Sequence, residues 1–157
     1  MKYARLTKEQ FEELHPEFIN FLATQSITSA EWKDIKLNKP EVAEQELDVF
    51  SDLVWEGVLQ KANYLESMAP LQFFLFQLDT NEMNLIAIKV LEETIDITTP
   101  EGYQWLQKNY NSDGVEFYTA TKAYGEDRNL DIFTLVQQGA IITKGDVYSF
   151  FQKILDA

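Results

Sequence analysis

The chain has a single histidine, His15, three residues after Glu12. A Glu-x-x-His spacing puts a carboxylate and an imidazole on one helix face and supplies one arm of a carboxylate-bridged di-iron centre. That chemistry needs the arm twice, and with one His and no Cys the second arm cannot be built. His15 precedes Pro16 and reads more simply as a surface or kink residue. Asp127, Asn129 and Asp131 stand at positions one, three and five of a calcium-loop pattern. Its sixth position is Ile132 where the sharp turn needs Gly, and its twelfth is Gln138 where a bidentate Glu is needed. The segment reads instead as the cap of a helix. Asp79-Thr80-Asn81-Glu82 is likewise a turn. Glu92 and Glu93 could share acid–base work, but 26 acidic residues make such pairs common by chance. Serine elbow, phosphate-binding loop and dinucleotide fingerprint are all missing. No catalytic residue, metal ligand or cofactor is assigned.

The most informative segment is a helix expected from Pro40 to about Lys61, with proline at its first turn where the missing N–H costs nothing. Between Glu41 and Glu56 it carries six acids and no base. On a helical wheel Glu41, Glu44, Asp48, Asp52 and Glu56 form a stripe about 120° wide. Val42, Ala43, Leu47, Val49, Phe50, Leu53, Val54 and Val58 lie opposite. Trp55 falls inside the acidic stripe and Glu46 inside the apolar face. Like charges at i,i+4 destabilise an isolated helix by a few tenths of a kcal/mol each, so the ridge does not serve helix stability. Two readings follow. Glu44, Asp48, Asp52 and Trp55 form a recognition surface for a basic protein partner, with Trp55 as an aromatic anchor. Otherwise the ridge is a solvated face with Trp55 tucked under a neighbouring helix. Glu46 is a buried acid, sits where the helix leaves the core, or pairs with a lysine from elsewhere.

The elements that position this helix are legible in outline. Thr7 and Gln10 form a capping box, and Phe11, Leu14, Phe18 and Phe21 keep helical spacing across Pro16, so a kink or two abutting helices are expected. A short helix carries Trp32. Leu71–Leu78 and Leu85–Leu91 flank a polar turn and read as an antiparallel hairpin. A helix opens at Thr99-Pro100, a strand spans about 115–123, and two helices follow over Asn129–Gln138 and Lys144–Leu155, the last capped by Thr143. The fold class is α+β, a small, mostly antiparallel sheet (hairpin about 71–91 plus strand about 115–123) packed by about five or six helices in a single domain over 1–157. The hairpin offers an edge to a second copy, so a homodimer is among the expected assemblies.

Composition bounds the rest. The net charge is -13 with 45% hydrophobic residues, enough for a core and opposed to direct nucleic-acid or anionic-membrane binding. No apolar run reaches membrane-spanning length and no signal-peptide pattern opens the chain, which reads as cytoplasmic. Glu41–Glu56 contributes a net -6 and Asp79–Gly102 a net -5. Tyr3-Ala4-Arg5-Leu6-Thr7-Lys8-Glu9, Phe18-Ile19-Asn20-Phe21-Leu22, Glu31-Trp32 and Leu47 to Tyr64 resemble a family of short proteins of unknown function from Bacteroidetes. The resemblance covers about the first 67 residues, implies a bacterial cytoplasmic protein and brings no functional residue with it. The functional expectation is a non-catalytic interaction protein, inhibitor-like or immunity-like, that docks a basic surface on its acidic helix. The alternative is a small carboxylate enzyme, in one version dependent on a divalent metal.

Overall fold

The structure, a computed structural model, describes residues 1–157. The chain forms two compact units, Met1–Gln60 and Lys61–Ala157.

The first unit is helical: α1 (Lys8–Glu13), α2 (His15–Thr24), α3 (Ser29–Asn38) and α4, which starts at Pro40 and runs to Lys61. Thr7 caps α1 with the full capping box, and Leu14 is the joint between α1 and α2, so the expected break at Pro16 is two abutting helices. Helix α2 ends in a Schellman turn, with Ile27 N–H donating to Leu22 O and Ser26 N–H to Ala23 O. Ser26 takes φ 61° there, the left-handed region that glycine prefers. Thr28 caps α3 by accepting from Glu31 N. The core is aromatic: Phe18 packs edge-on to Phe50 and Trp32, with centroids 5.1 and 5.3 Å away, and Phe11 stacks on Phe50 at 6.0 Å. Leu6, Leu22, Leu47 and Val54 close around them. Burying each such side chain contributes about 1.5–3 kcal/mol.

The second unit holds β1 (Tyr64–Ala69), β2 (Gln72–Leu78), β3 (Glu82–Val90), α5 (Pro100–Asn109), β4 (Val115–Ala123), α6 (Arg128–Gln137), β5 (Ile141–Thr143) and α7 (Asp146–Asp156). The five strands form one antiparallel sheet in the order β4-β3-β2-β1-β5. This is an α+β fold with seven helices, one or two more than expected, and with two strands, β1 and β5, beyond the three expected. Strand alternation sends Phe73, Leu75, Ile86, Ile88, Val90 and Phe117 to one face, where they pack with Ile97, Leu106, Tyr148 and Phe151. Phe74, Phe76 and Leu85 point to the other face, where they line a cavity of about 340 Å³ with Leu135 and Ala140.

Two glycines are sterically required. A Cβ on Gly102 would lie 1.7 Å from the Asp96 carbonyl oxygen, so the approach of that loop to α5 depends on its absence. Gly145 has φ 85° and packs under the Tyr64 ring. It also corrects the start of the last helix: Thr143 belongs to β5, its hydroxyl accepts from Gly145 N at 3.2 Å, and α7 begins at Asp146 with Gly145 as N-cap.

Candidate functional site

The acidic ridge of α4 exists as expected, and the N-terminal segment Lys2–Leu6 lies along it. Asp52 accepts from two successive backbone amides, Lys2 N–H at 2.7 Å and Tyr3 N–H at 2.9 Å. The Tyr3 hydroxyl donates to Glu56, and Lys2 Nζ approaches the same carboxylate at 3.4 Å. Arg5 bridges the other end, with Nε donating to Asp48 Oδ1 at 2.6 Å and Nη1 lying 2.7 Å from Glu44 Oε2. Leu6 N–H donates to the buried Ser51 hydroxyl at 3.1 Å.

The electrostatics follow from this seating. Burial, reinforced by the hydrogen bond to Glu56, pushes the Tyr3 phenol up to about 12. Burial alone would lower Arg5, but its hydrogen bonds to Glu44 and Asp48 outweigh it and raise the guanidinium further. Three-to-four-residue repulsions along the ridge are thus offset by cations from the start of the chain. The pairs remain open to water, with side chains 35% exposed for Arg5, 38% for Asp48 and 62% for Glu44. Each is therefore worth about 0.2–1 kcal/mol.

The other residues of interest fall into place around this. Trp55 is half-buried among the aromatic core, with its indole nitrogen shielded from solvent. It lines a cavity of about 260 Å³ with Leu6, Leu14, Val54 and Val58. Glu46, the outlier on the apolar face, is half-buried and accepts from Gln25 Nε2 at 2.8 Å. Part of that face is open: Val49 is 51% and Leu53 57% exposed. His15 is exposed at the start of α2, on a helix separate from Glu12, and both line a cavity of about 500 Å³ with Phe11, Trp32 and Lys36.

In the second unit, the calcium-like segment is a helix cap. Asp127 accepts from Leu130 N at 3.2 Å, and Asp131 accepts from Gly125 N at 2.8 Å. Arg128 between them donates to the carbonyls of Ala62, Leu78 and Asp79. No group of three or more His, Asp or Glu side chains is gathered in metal-binding geometry. Glu66, on β1, belongs to no motif that the sequence shows. Burial, with the nearby Asp146 charge, pushes its carboxyl up against a lowering hydrogen bond from Thr143. Its charge also raises Tyr103, whose main cause is again burial. Its place is set by register: Glu66 pairs with Leu75 and Met68 with Phe73, which puts Glu66 on the face of Phe73 and Leu75.

The first unit thus pairs an acidic helix with a basic extended segment, and the second holds the antiparallel sheet of an α+β fold. The chain belongs to a family of unknown function, DUF6495, whose model matches residues 1–156. Membership thus spans the C-terminal half as well as the N-terminal motifs. No curated protein and no solved structure matches the chain. No helix is long and apolar enough to cross a membrane.

Proposed function

We propose that this is a non-catalytic interaction protein whose α4 ridge receives extended basic polypeptide, in a bacterial cytoplasmic setting. One observation carries the reading: the chain's own Lys2–Leu6 segment already sits on the ridge, with its amides on Asp52 and its cations on Glu44, Asp48 and Glu56. That seating supplies a template for what a basic partner would do. The exposed ion pairs are individually weak, so a partner presenting several cations can compete with Arg5 for Glu44 and Asp48. Encounter would be fast and salt-sensitive.

The test uses the full chain and a synthetic peptide of alternating Arg and Ala, titrated at low and high salt. Arg5→Ala should bind the peptide several-fold more tightly than the unmodified protein at low salt. Glu44→Gln combined with Asp48→Asn should abolish that gain. Equal binding by all three proteins would overturn the reading.

A further inference from the structure

The hairpin β2–β3, expected to offer an open edge, is covered by β1 and β4 on its two sides; strand β4 pairs with β3 on one side and forms the sheet edge on the other. Its nine residues keep one-to-one register with β3 from Val115 to Ala123, with no bulge and no proline. From Tyr118 to Ala123 every residue is exposed. A long, flat, open edge is a template for another strand unless something blunts it.

Two hydrogen bonds fix which backbone groups face outward. Leu91 N–H donates to Gly114 O, and Tyr124 N–H donates to Asn81 O. Because antiparallel ladders alternate, the even-numbered residues of β4 bond to β3. Phe117, Thr119, Thr121 and Ala123 therefore turn their N–H and C=O groups to the open side. Val115 N–H is turned to Ser112 O.

We propose that two copies of the chain pair antiparallel along β4, about a two-fold axis at Thr119, into one continuous sheet. In that register Thr119 bonds to Thr119 of the partner subunit, and Phe117 to Thr121 of the partner subunit. With the reciprocal pair this makes about six ladder hydrogen bonds. The even-numbered residues then fall in the closer, non-hydrogen-bonded pairs, with Cα atoms about 4.5 Å apart. Glu116 stands opposite Lys122 of the partner subunit, and Tyr118 opposite Ala120 of the partner subunit, a large side chain over a small one. Within its own sheet Lys122 faces Met83, while Glu116 faces Lys89. The dimer therefore continues a row of alternating sign, Lys89 to Glu116 to Lys122 of the partner subunit, and gives Lys122 an opposite charge. Moving the axis to Tyr118 or Ala120 removes the Glu–Lys pairing and shortens the overlap from nine residues to about seven, and moving it to Phe117 or Thr121 shortens it to about five. The strand is self-complementary in one register, which selects a second copy as its occupant.

Sedimentation of the full chain at about 10–100 μM tests this. A species near twice the 18.2 kDa chain mass is expected. Lys122→Glu and Glu116→Lys should each weaken dimerisation at least tenfold, and the double exchange should restore it. Because the chain has no Cys, Thr119→Cys gives a single thiol that should oxidise readily to a symmetric disulfide, since directly opposed hydrogen-bonded residues lie about 5.5 Å apart. Ala123→Cys should not, since its copies would be about 27 Å apart. A monomer throughout that range, failure of the double exchange to restore association, or equal cross-linking at both positions would overturn the proposal.

Discussion

Ser51 links the N-terminal segment to α4, and its hydroxyl can be removed with almost no change in volume. The residue is fully buried at 0% exposure. Its Oγ donates to Leu47 O at 2.7 Å and accepts from Leu6 N–H at 3.1 Å. Ser51→Ala leaves the Leu6 amide facing a methyl group, and an unsatisfied buried donor costs about 1–3 kcal/mol. Two effects oppose this. Alanine is the better helix former by about 0.5 kcal/mol, and the back-bond to Leu47 that is lost contributes little to helix stability. The net expectation is a destabilisation of about 1–2 kcal/mol. With a urea m-value of about 2 kcal/mol/M, the unfolding midpoint should fall by about 0.5–1 M. Because the perturbation is local to Leu6, trypsin cleavage after Arg5 should accelerate in native buffer as well. Ser29→Ala, on an exposed helix start, is the control and should move neither measurement. A midpoint shift below about 0.2 M, or unchanged cleavage after Arg5, would refute the claim that Ser51 holds the segment in place.

Ser26→Gly should stabilise the protein by about 0.5–1 kcal/mol in the same urea titration, because glycine relieves a left-handed φ of 61° within the Schellman turn. Glu66→Gln should raise the unfolding midpoint at neutral pH, with the gain vanishing in acid. The folded carboxyl is raised above its ordinary value of 4.5, so the native state favours the protonated form. That contribution is complete below the unfolded value and is lost as pH rises through the folded one. Thermal melts of both proteins from pH 3 to 8 test this. A gain that persists at the lowest pH would assign the effect to packing rather than charge.

How much was legible in the sequence depended on how far each signal reaches along the chain. Helix α4 followed from its first-turn proline and a repeating apolar phase, both local, and its boundaries match. The hairpin β2–β3 and the opening of α5 at Thr99-Pro100 are also local, and they too hold. Strand β1 escaped because its alternation is weak: Tyr64, Glu66 and Met68 share a face without a uniform polarity, and the strand is specified by its neighbours β2 and β5. Strand β5 has three residues, too few for any period to show. Thr143 then looked like a helix cap because the choice between cap and strand is made by pairing with Tyr64, 79 positions earlier in the chain. The seating of Lys2 and Arg5 was hidden for the same reason. Their spacing did carry a clue: three extended residues span about 10 Å, close to the roughly 12 Å between the middle of the Glu44–Asp48 pair and that of Asp52–Glu56 on a helix.

That match changes what the acidity of α4 can mean for a partner. Four of the five ridge carboxylates, Glu44, Asp48, Asp52 and Glu56, face two cations, so the charge of those four is halved by the chain itself. The four are not equivalent. Asp52 is occupied by two backbone amides, and Asp48 by the Arg5 guanidinium at 2.6 Å. Glu44 and Glu56, at the two ends of the stretch that Lys2–Leu6 covers, keep side chains 62% and 45% exposed. A basic partner should therefore be felt first at Glu44 and Glu56, and only after the segment yields at Asp48, Asp52 and the rim around Trp55. The two stages differ in salt response. Contact at the ends alone is screened like any surface pair. Displacement of Arg5 exchanges one ion pair for another, so its net salt dependence is small.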